Sequence, residues 1–229
     1  MNNKELYNKI VKILNGEDSE YKNTLETIKK ELETEILTSG KINNSIKQAF
    51  KRLQKEVDYR TKFKNVLRNG NGLYSITNGF FLVTYTEKQL PNELKPYINP
   101  NEKEIDDGFY YEKLKATGNL NLLSLDYEAI KTMYKYNKLN KERNIFTLQN
   151  GYTFNIQYFM DILTFLNCKN LTNVKIEIGE HTHAPMNIIT ENGNAILLPI
   201  RMTPEKIDNQ LKLQEKVIYN IETDDVLPF

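Results

Sequence analysis

Cysteine, histidine and tryptophan are scarce in this chain, and their scarcity excludes several kinds of site. The 229 residues include one cysteine, two histidines and no tryptophan. The single thiol, Cys168, cannot form an intrachain disulfide. His181 and His183 have the spacing of two metal ligands on one strand, but no cysteine or carboxylate–histidine group elsewhere completes a site. We therefore expect a loop there and no bound metal.

Long apolar runs and an excess of charge are also missing. No run approaches the ~20 apolar residues that cross a bilayer. The first residues, Met1-Asn2-Asn3-Lys4-Glu5-Leu6, lack the apolar region of a secretion signal. Lys and Arg total 31 against 30 Asp and Glu, a net charge of +1, so any basic face must be local. These features predict a cytoplasmic protein without a membrane partner.

Residues arranged for catalysis or for cofactor binding are not evident. Asp106-Asp107 lacks the further carboxylates that a two-metal nuclease needs. Asn69-Gly70-Asn71-Gly72 has neither the Lys-Ser/Thr pair nor the strand-to-helix context of a phosphate-binding loop. We therefore predict no enzyme and no cofactor. A hydrophobic fraction of 39% is typical of a globular protein with one or two domains.

Helical periodicity marks both ends of the chain. Apolar residues recur at helical spacing from Leu6 to Leu14 and from Tyr21 to Ile36, which predicts two amphipathic helices ending at Gly16 and Gly40. They form a helical N-terminal extension, residues 1–42. Thr203-Pro204-Glu205 is a favourable helix start, and residues 203–229 are predicted to form a C-terminal helix and tail.

The body between them, residues 43–202, alternates between helix and strand patterns. Helices are predicted from Asn43 to Val57, Asp126 to Asn137 and Ile156 to Leu166. Strands are predicted from Phe63 to Leu67, Leu73 to Ile76, Phe80 to Tyr85, Phe109 to Ala116, Val174 to Ile178, Met186 to Ile189 and Ala195 to Ile200. A helix followed by antiparallel strands thus occurs twice in an α+β fold. Prolines and charges mark a candidate internal boundary near residues 91–120.

Three motifs in this body match one family. Phe154-Asn155-Ile156-Gln157-Tyr158, followed by Asp161, resembles a helix entry in the final domain of the bacterial DNA polymerase III β sliding clamp. Leu197-Leu198-Pro199-Ile200-Arg201-Met202 resembles the closing strand of that domain. Ile76-Thr77-Asn78-Gly79-Phe80-Phe81-Leu82 resembles a turn of the middle domain. The resemblance spans roughly Asn43 to Met202, and it implies β-clamp-like helix-plus-antiparallel-sheet repeats.

The resemblance also implies a function and a binding site. Sliding clamps are non-enzymatic replication accessory proteins, or processivity factors, that bind short partner peptides in an apolar cleft. Carried over by motif, that cleft would be lined by Thr77, Gly79, Leu82, Ile196, Leu198, Pro199, Ile200 and Met202. The alternative is that these residues form an ordinary β-core. A DNA polymerase partner and a homo-oligomer both stay open.

Departures from the family favour a reduced clamp encoded by a phage or mobile element. Bacterial β-clamps have three domains per chain, whereas the body here has about 160 residues, short of two full domains. Phe80-Phe81 replaces a pair that is often polar in the family. A helix also follows Met202, where bacterial clamps stop. Whether a ring closes around DNA is therefore open.

Two basic stripes would suit contacts to a DNA backbone. A clamp meets phosphates with Lys and Arg on helices without reading bases, so basic residues should recur at helical spacing. One predicted helix carries Lys47, Lys51 and Lys55 with Arg52 alongside, and the next carries Lys131, Lys135 and Lys138. The alternative for each stripe is a solvated helix face with no ligand.

The last six residues form a candidate docking peptide. Asp224, Asp225, Val226, Leu227, Pro228 and Phe229 resemble the acidic tip with which bacterial single-stranded-DNA-binding proteins recruit replication and repair enzymes. Phe229 would present its ring and an α-carboxylate together, while the two aspartates would meet a basic rim. The alternative is an acidic tail without a partner.

These observations leave three functional hypotheses. The leading one is a sliding-clamp-like accessory protein that recruits DNA-maintenance enzymes through its tip. The second is a single-stranded-DNA-binding protein, which aromatic and basic residues interleaved on one sheet face would favour. The third is a decoy adaptor whose tip occupies the host partners of single-stranded-DNA-binding protein.

Overall fold

The computed structural model of this protein describes residues 44–57, 61–69, 72–98, 110–140 and 142–220. The described chain from Ser45 onward belongs to one compact unit. The two amphipathic helices predicted before Gly40 and the docking peptide from Asp224 to Phe229 lie outside the described residues. Their structural roles therefore stay predictions.

The described chain is a mixed α+β fold, as the sequence predicts. Its helices are α1 (Asn44–Glu56), α2 (Tyr111–Leu114), α3 (Tyr127–Asn140), α4 (Ile156–Phe165) and α5 (Pro204–Asn220). Its strands are β1 (Leu67–Arg68), β2 (Leu73–Thr77), β3 (Phe81–Thr86), β4 (Leu120–Leu122), β5 (Ile145–Thr147), β6 (Thr153–Asn155), β7 (Lys175–Gly179), β8 (Met186–Thr190) and β9 (Gly193–Leu197). Helices α1, α3 and α4 confirm the three that helical periodicity predicts for the body.

Two predicted strands are wrong. Most of the stretch from Phe63 to Leu67 lies outside β1, because a short 3-10 helix, Thr61–Lys64, precedes that strand. The described part of the stretch from Phe109 to Ala116 contains the helical turn α2. The backbone of this stretch forms hydrogen bonds with side chains of the sheet. Tyr111 N–H donates to Thr84 Oγ1 at 3.0 Å, and Ala116 N–H donates to Asn187 Oδ1 at 2.9 Å. This segment therefore crosses a sheet face instead of adding a strand.

One seven-stranded antiparallel sheet organises the fold. Its strand order is β1-β2-β3-β9-β8-β7-β4. The β1–β3 and β7–β9 meanders are joined where β3 pairs with β9, in the register Leu82 opposite Ile196. Strands β5 and β6 form a separate two-stranded sheet.

The main core lies between one face of this sheet and the helices. Phe81, Val83 and Tyr85 of β3 alternate with residues of the other face, so they point to the same side, where they join Phe159 and Phe165 of α4 in one buried cluster. Tyr85 is fully buried, and its hydroxyl donates to the Phe165 carbonyl at 3.0 Å. Full burial of each large apolar side chain contributes about 1.5–3 kcal/mol. Helix α4 is therefore a principal support of the sheet.

Helix α5 is attached to the body by a buried carboxamide. Gln214 Oε1 accepts from Thr147 N–H at 2.7 Å, and Gln214 Nε2 donates to the Thr147 carbonyl at 2.8 Å. Val217, one turn later, is buried in the main core. These contacts fix α5 against the β5–β6 hairpin.

Gly193 lies at the β8–β9 turn, where we expect any side chain to lower the free energy of unfolding. A Cβ atom there would lie 2.9 Å from the Thr84 carbonyl oxygen and 3.0 Å from Tyr85 Cδ1, at a φ of +143°. We expect Gly193→Ala to lower the free energy of unfolding by about 2–3 kcal/mol, because both backbone strain and a backbone clash oppose the side chain. Urea denaturation measures the loss.

Gly72 is the matched control. Its φ is also positive, +68°, but nothing lies within 4 Å of a Cβ placed there. Gly72→Ala should therefore cost only the left-handed backbone conformation, about 1 kcal/mol. Equal losses in the two variants would show that the close approach of β9 to β3 does not require glycine at position 193.

Candidate functional site

The turn between β2 and β3 is fixed by its own side chains. Gly79, at a φ of +90°, donates its N–H to Thr77 Oγ1 at 2.9 Å. Asn78 Oδ1 accepts from the N–H groups of Phe80 and Phe81 at 2.9 and 3.0 Å. A turn is therefore present within the motif from Ile76 to Leu82, and these bonds fix the backbone at Phe80.

Two neighbouring elements hold this turn in place. Asn78 Nδ2 donates to Glu56 Oε2 of α1 at 3.0 Å. Leu198 N–H, just after β9, donates to the Phe80 carbonyl at 2.9 Å. The two motifs that the sequence assigns to a peptide cleft are thus neighbours, although they lie far apart along the chain.

Large apolar side chains are exposed where these motifs meet. Phe80 is 50% exposed and Leu198 is 40% exposed. The Phe80 ring stacks on that of Tyr158, with centroids 6.0 Å apart and planes 11° from parallel. We call Phe80, Leu198 and the adjoining half-buried Pro199 the Phe80–Leu198 surface. Phe80 and Leu198 are neighbours across the β3–β9 junction, so their exposed side chains form a small apolar patch. Contiguous apolar patches on a protein surface are candidate protein contact sites.

The other residues assigned to the cleft lie in different surroundings. Leu82 and Ile196 are 4% and 3% exposed, and Tyr111 packs against both on the sheet face opposite the main core. Thr77 is buried in the turn. Ile200 donates its N–H to the Thr153 carbonyl at 2.7 Å. Met202 lines a cavity beside α5. Leu82 and Ile196 are therefore covered by the chain's own segment.

The stripe predicted on α1 contains two kinds of basic residue. Lys51 and Lys55 are exposed and Lys47 is half-buried. Arg52 instead forms an ion pair with Asp161 of α4, with 2.5 Å between Arg52 Nη2 and Asp161 Oδ1. Its guanidinium is therefore already engaged within the protein.

A polar network connects three helices through Asp161. Gln157 Nε2 donates to Asp161 Oδ1 at 3.1 Å, and Gln157 Oε1 accepts from the Tyr134 hydroxyl of α3 at 2.7 Å. Burial raises the pKa of the Asp161 carboxyl, and the hydrogen bond and charge of Arg52 oppose that rise. Sequence reasoning missed this network because its ion pair joins residues 109 positions apart.

The positive charge of the basic stripe on α3 is neutralised in part by a neighbouring carboxylate. Lys131 Nζ lies 2.9 Å from Glu128 Oε1 and 5.3 Å from the centroid of the Tyr127 ring. Lys135 and Lys138 are exposed. The basic groups on α1 and α3 that are both exposed and without an ion pair to any described residue are Lys51, Lys55, Lys135 and Lys138.

Other candidate chemistry gains no support from the described residues. His181 and His183 are exposed, and the described part of the chain has no group of three or more His, Cys, Asp or Glu side chains placed to hold a metal. Burial raises the pKa of the Cys168 thiol, whereas a catalytic thiolate needs a lowered one. No described helix has the length and apolar character of a membrane span.

Comparison with protein-family models, curated proteins and solved structures gives no match to this chain. Function must therefore be argued from the surfaces described above. Among the described residues, the Phe80–Leu198 surface and the four exposed lysines of α1 and α3 are the candidate contacts for a macromolecular partner.

The Arg52–Asp161 pair predicts a pH-dependent loss of stability in Arg52→Gln. Burial raises the pKa of Asp161 in the folded state. The protonated carboxyl therefore contributes stability that is complete at pH values below the unfolded-state pKa of about 3.9. That stability is lost as the pH rises through the folded-state pKa. Arg52 limits that loss. Since Arg52 is half-exposed, we expect its removal to cost about 1–2 kcal/mol at pH 7 and less near pH 4.

Urea denaturation at both pH values measures this difference. Lys51→Gln is the matched control, since Lys51 precedes Arg52 on α1 and is exposed. It should change stability little at either pH. Adding Asp161→Asn to Arg52→Gln should abolish the pH dependence of the loss. An equal loss at pH 4 and pH 7 in Arg52→Gln would contradict a role for the charge of Asp161.

Proposed function

We propose that this protein is a non-enzymatic DNA-replication accessory protein with a sliding-clamp-like body. The observation that carries the proposal is the meeting of two clamp-like motifs, Ile76 to Leu82 and Leu197 to Met202, at the β3–β9 junction. In the family that they resemble, these motifs contribute to the partner-peptide site. Here they form a rigid turn and a strand end with exposed apolar side chains between them.

The Phe80–Leu198 surface supports the binding of a short apolar peptide. Its backbone is fixed by the Leu198–Phe80 hydrogen bond, so little ordering is needed on binding. Covering the exposed halves of Phe80 and Leu198 would supply about 2 kcal/mol in total. This burial would be one contribution to peptide affinity, to which further contacts of the peptide must add.

The exposed lysines of α1 and α3 support contact with a DNA backbone. Lys51 and Lys55 share one side of α1, and Lys135 and Lys138 are near neighbours on α3. The Tyr134–Gln157–Asp161–Arg52 network links these two helices through α4. Such contacts would be independent of base sequence and sensitive to salt.

The coating of single-stranded DNA has less support. Among the described large apolar side chains that are exposed, only Phe80 is aromatic, and the described tyrosines are half-buried or buried. The described surface therefore presents few open rings on which successive bases could stack. The recruitment of replication or repair enzymes by Asp224 to Phe229, and its decoy variant, stay proposals based on that peptide sequence.

The peptide site predicts a selective loss of binding. The probe is a fluorescent peptide carrying the clamp-binding segment of a bacterial replicative DNA polymerase. Replacing Phe80 and Leu198 together by Ser should weaken its binding at least tenfold, because about 2 kcal/mol of apolar burial is lost. Fluorescence anisotropy measures the affinity.

Leu122→Ser is the matched control for this experiment. Leu122 is exposed on the edge strand β4, far from β3 in the strand order. This variant should bind the peptide like the unaltered protein. Equal binding by all three proteins, or no saturable binding by any of them, would remove the clamp-like peptide site from the proposal.

The proposed DNA contacts are tested with two matched sets of charge-reversal substitutions. Changing Lys51, Lys55, Lys135 and Lys138 to Glu should weaken binding to a labelled duplex and flatten its salt dependence, because phosphate contacts release counterions. Changing Lys88, Lys113, Lys169 and Lys212 to Glu alters the net charge equally at other exposed positions. Gel-shift titrations at several salt concentrations should show a clearly smaller effect for this second set. Equal effects would assign DNA affinity to total charge alone.

A further inference from the structure

The strand β4 is one edge of the seven-stranded sheet, and on its outer side no strand of the described chain pairs with it. On its inner side it pairs with β7, with Leu122 opposite Glu177. One residue later, Leu123 N–H donates to the Ile176 carbonyl at 2.9 Å. Hydrogen-bonded and non-hydrogen-bonded positions alternate along an antiparallel pair. The backbone N–H and C=O groups of Leu122 and Leu120 therefore point away from β7, toward the outer side.

The two edges of this sheet differ in how they are protected. The opposite edge strand, β1, has only two residues and carries the exposed Arg68. Just before it, Val66 N–H donates to the Tyr97 carbonyl at 3.0 Å. Short strands, charged side chains and covering segments all oppose the pairing of an edge with another chain. By contrast, β4 lies within residues 116–125, which include no charged residue and no proline.

The side chains of β4 are also open to a partner. Leu122 is 73% exposed, Leu120 is half-buried and Asn121 is exposed. Alternation along the strand places both leucines on one face of the sheet. That face is opposite the main core, because Ile176 and Ile178 of the neighbouring β7 belong to the core. A strand added at this edge would bond to the outward backbone groups and cover Leu122.

This edge is complementary to a second copy of itself. A two-fold axis through Asn121 would place Leu120 of each copy opposite Leu122 of the other. Each such pair would exchange two N–H···O=C bonds, which gives four hydrogen bonds in all. The four leucine side chains would lie on one face and contact each other across the axis. No like charges would meet within the paired stretch, because residues 116–125 carry none.

The residue at the axis is suited to meeting its own counterpart. Asn121 would face Asn121 of the second copy as a non-hydrogen-bonded pair, with about 4.5 Å between the two Cα atoms. A carboxamide contains both a donor and an acceptor, so two copies of the same side chain can bond to each other. Any charged side chain at this position would instead repel its counterpart. The strand therefore fits a second copy of this chain in particular.

We propose that two copies of this chain associate by antiparallel pairing of their β4 strands about a two-fold axis at Asn121. A two-fold contact closes on itself, so it gives a dimer and no ring. It is independent of the proposed replication role. It leaves the Phe80–Leu198 surface uncovered by the pairing, since β7, β8 and β9 separate β4 from β3. A short edge buries less than the roughly 1,200 Å² of a standard interface, so we expect a dissociation constant on the order of 100 µM.

Sedimentation equilibrium of the full chain, from about 10 to about 500 µM, tests the association. The share of dimer should rise with concentration. Leu122→Lys should raise the dissociation constant at least about tenfold, because an edge lysine opposes strand pairing. Leu139→Lys is the matched control, since Leu139 is 82% exposed on α3 and the substitution adds the same charge. This control should dimerise like the unaltered protein, and urea should unfold both variants at similar concentrations.

Cysteine cross-linking tests the register of the pairing. Cys168→Ser first removes the native thiol. In that background, Asn121→Cys should form a disulfide between two copies under mild oxidation, because the expected Cα separation of about 4.5 Å lies within the range that disulfides span. Leu139→Cys in the same background is the control and should cross-link to a clearly smaller extent. Electrophoresis without reductant measures both.

Four results would overturn the proposal. The first is a monomer at every concentration. The second is a dissociation constant that Leu122→Lys leaves unchanged. The third is equal cross-linking of Asn121→Cys and Leu139→Cys. The fourth is a mass that continues to rise beyond the dimer, which would indicate a head-to-tail contact in place of the two-fold one.

Discussion

The pairing of β3 with β9 is the interaction on which the rest of the structure depends. It runs from Phe81 opposite Leu197 to Thr84 opposite Asn194 and joins two meanders into one sheet. Each meander alone would be a small sheet with an exposed edge, and such sheets are marginally stable. Once joined, they present one continuous apolar face to α4, and Gly193 permits the close approach of the two strands.

The same pairing positions the surface to which we assign function. Alternation along β3 sends Phe81 and Val83 into the main core and Leu82 to the opposite face. There Tyr111 covers Leu82 and Ile196, so this part of the predicted cleft is filled by the chain itself. Only the end of the junction stays open, and its exposed apolar side chains are the ones a partner could cover.

Buried polar side chains fasten the segments that sheet pairing does not reach. Asn187 holds the segment around α2, Gln214 holds α5 against β5, and Asp161 links α1 and α3 through α4. Each depends on satisfied hydrogen bonds, because an unpaired buried polar group is costly.

The sequence by itself determined the local elements of this protein. Helical periodicity located α1, α3 and α4, and the motif from Ile76 to Leu82 marked the turn before β3, because both signals depend on neighbouring residues. Only the tertiary structure decided that β3 pairs with β9, that Tyr111 covers Leu82, and that Arg52 bonds to Asp161. Those contacts join residues far apart in the chain, and a single sequence does not record which distant partner satisfies an apolar face or a buried charge.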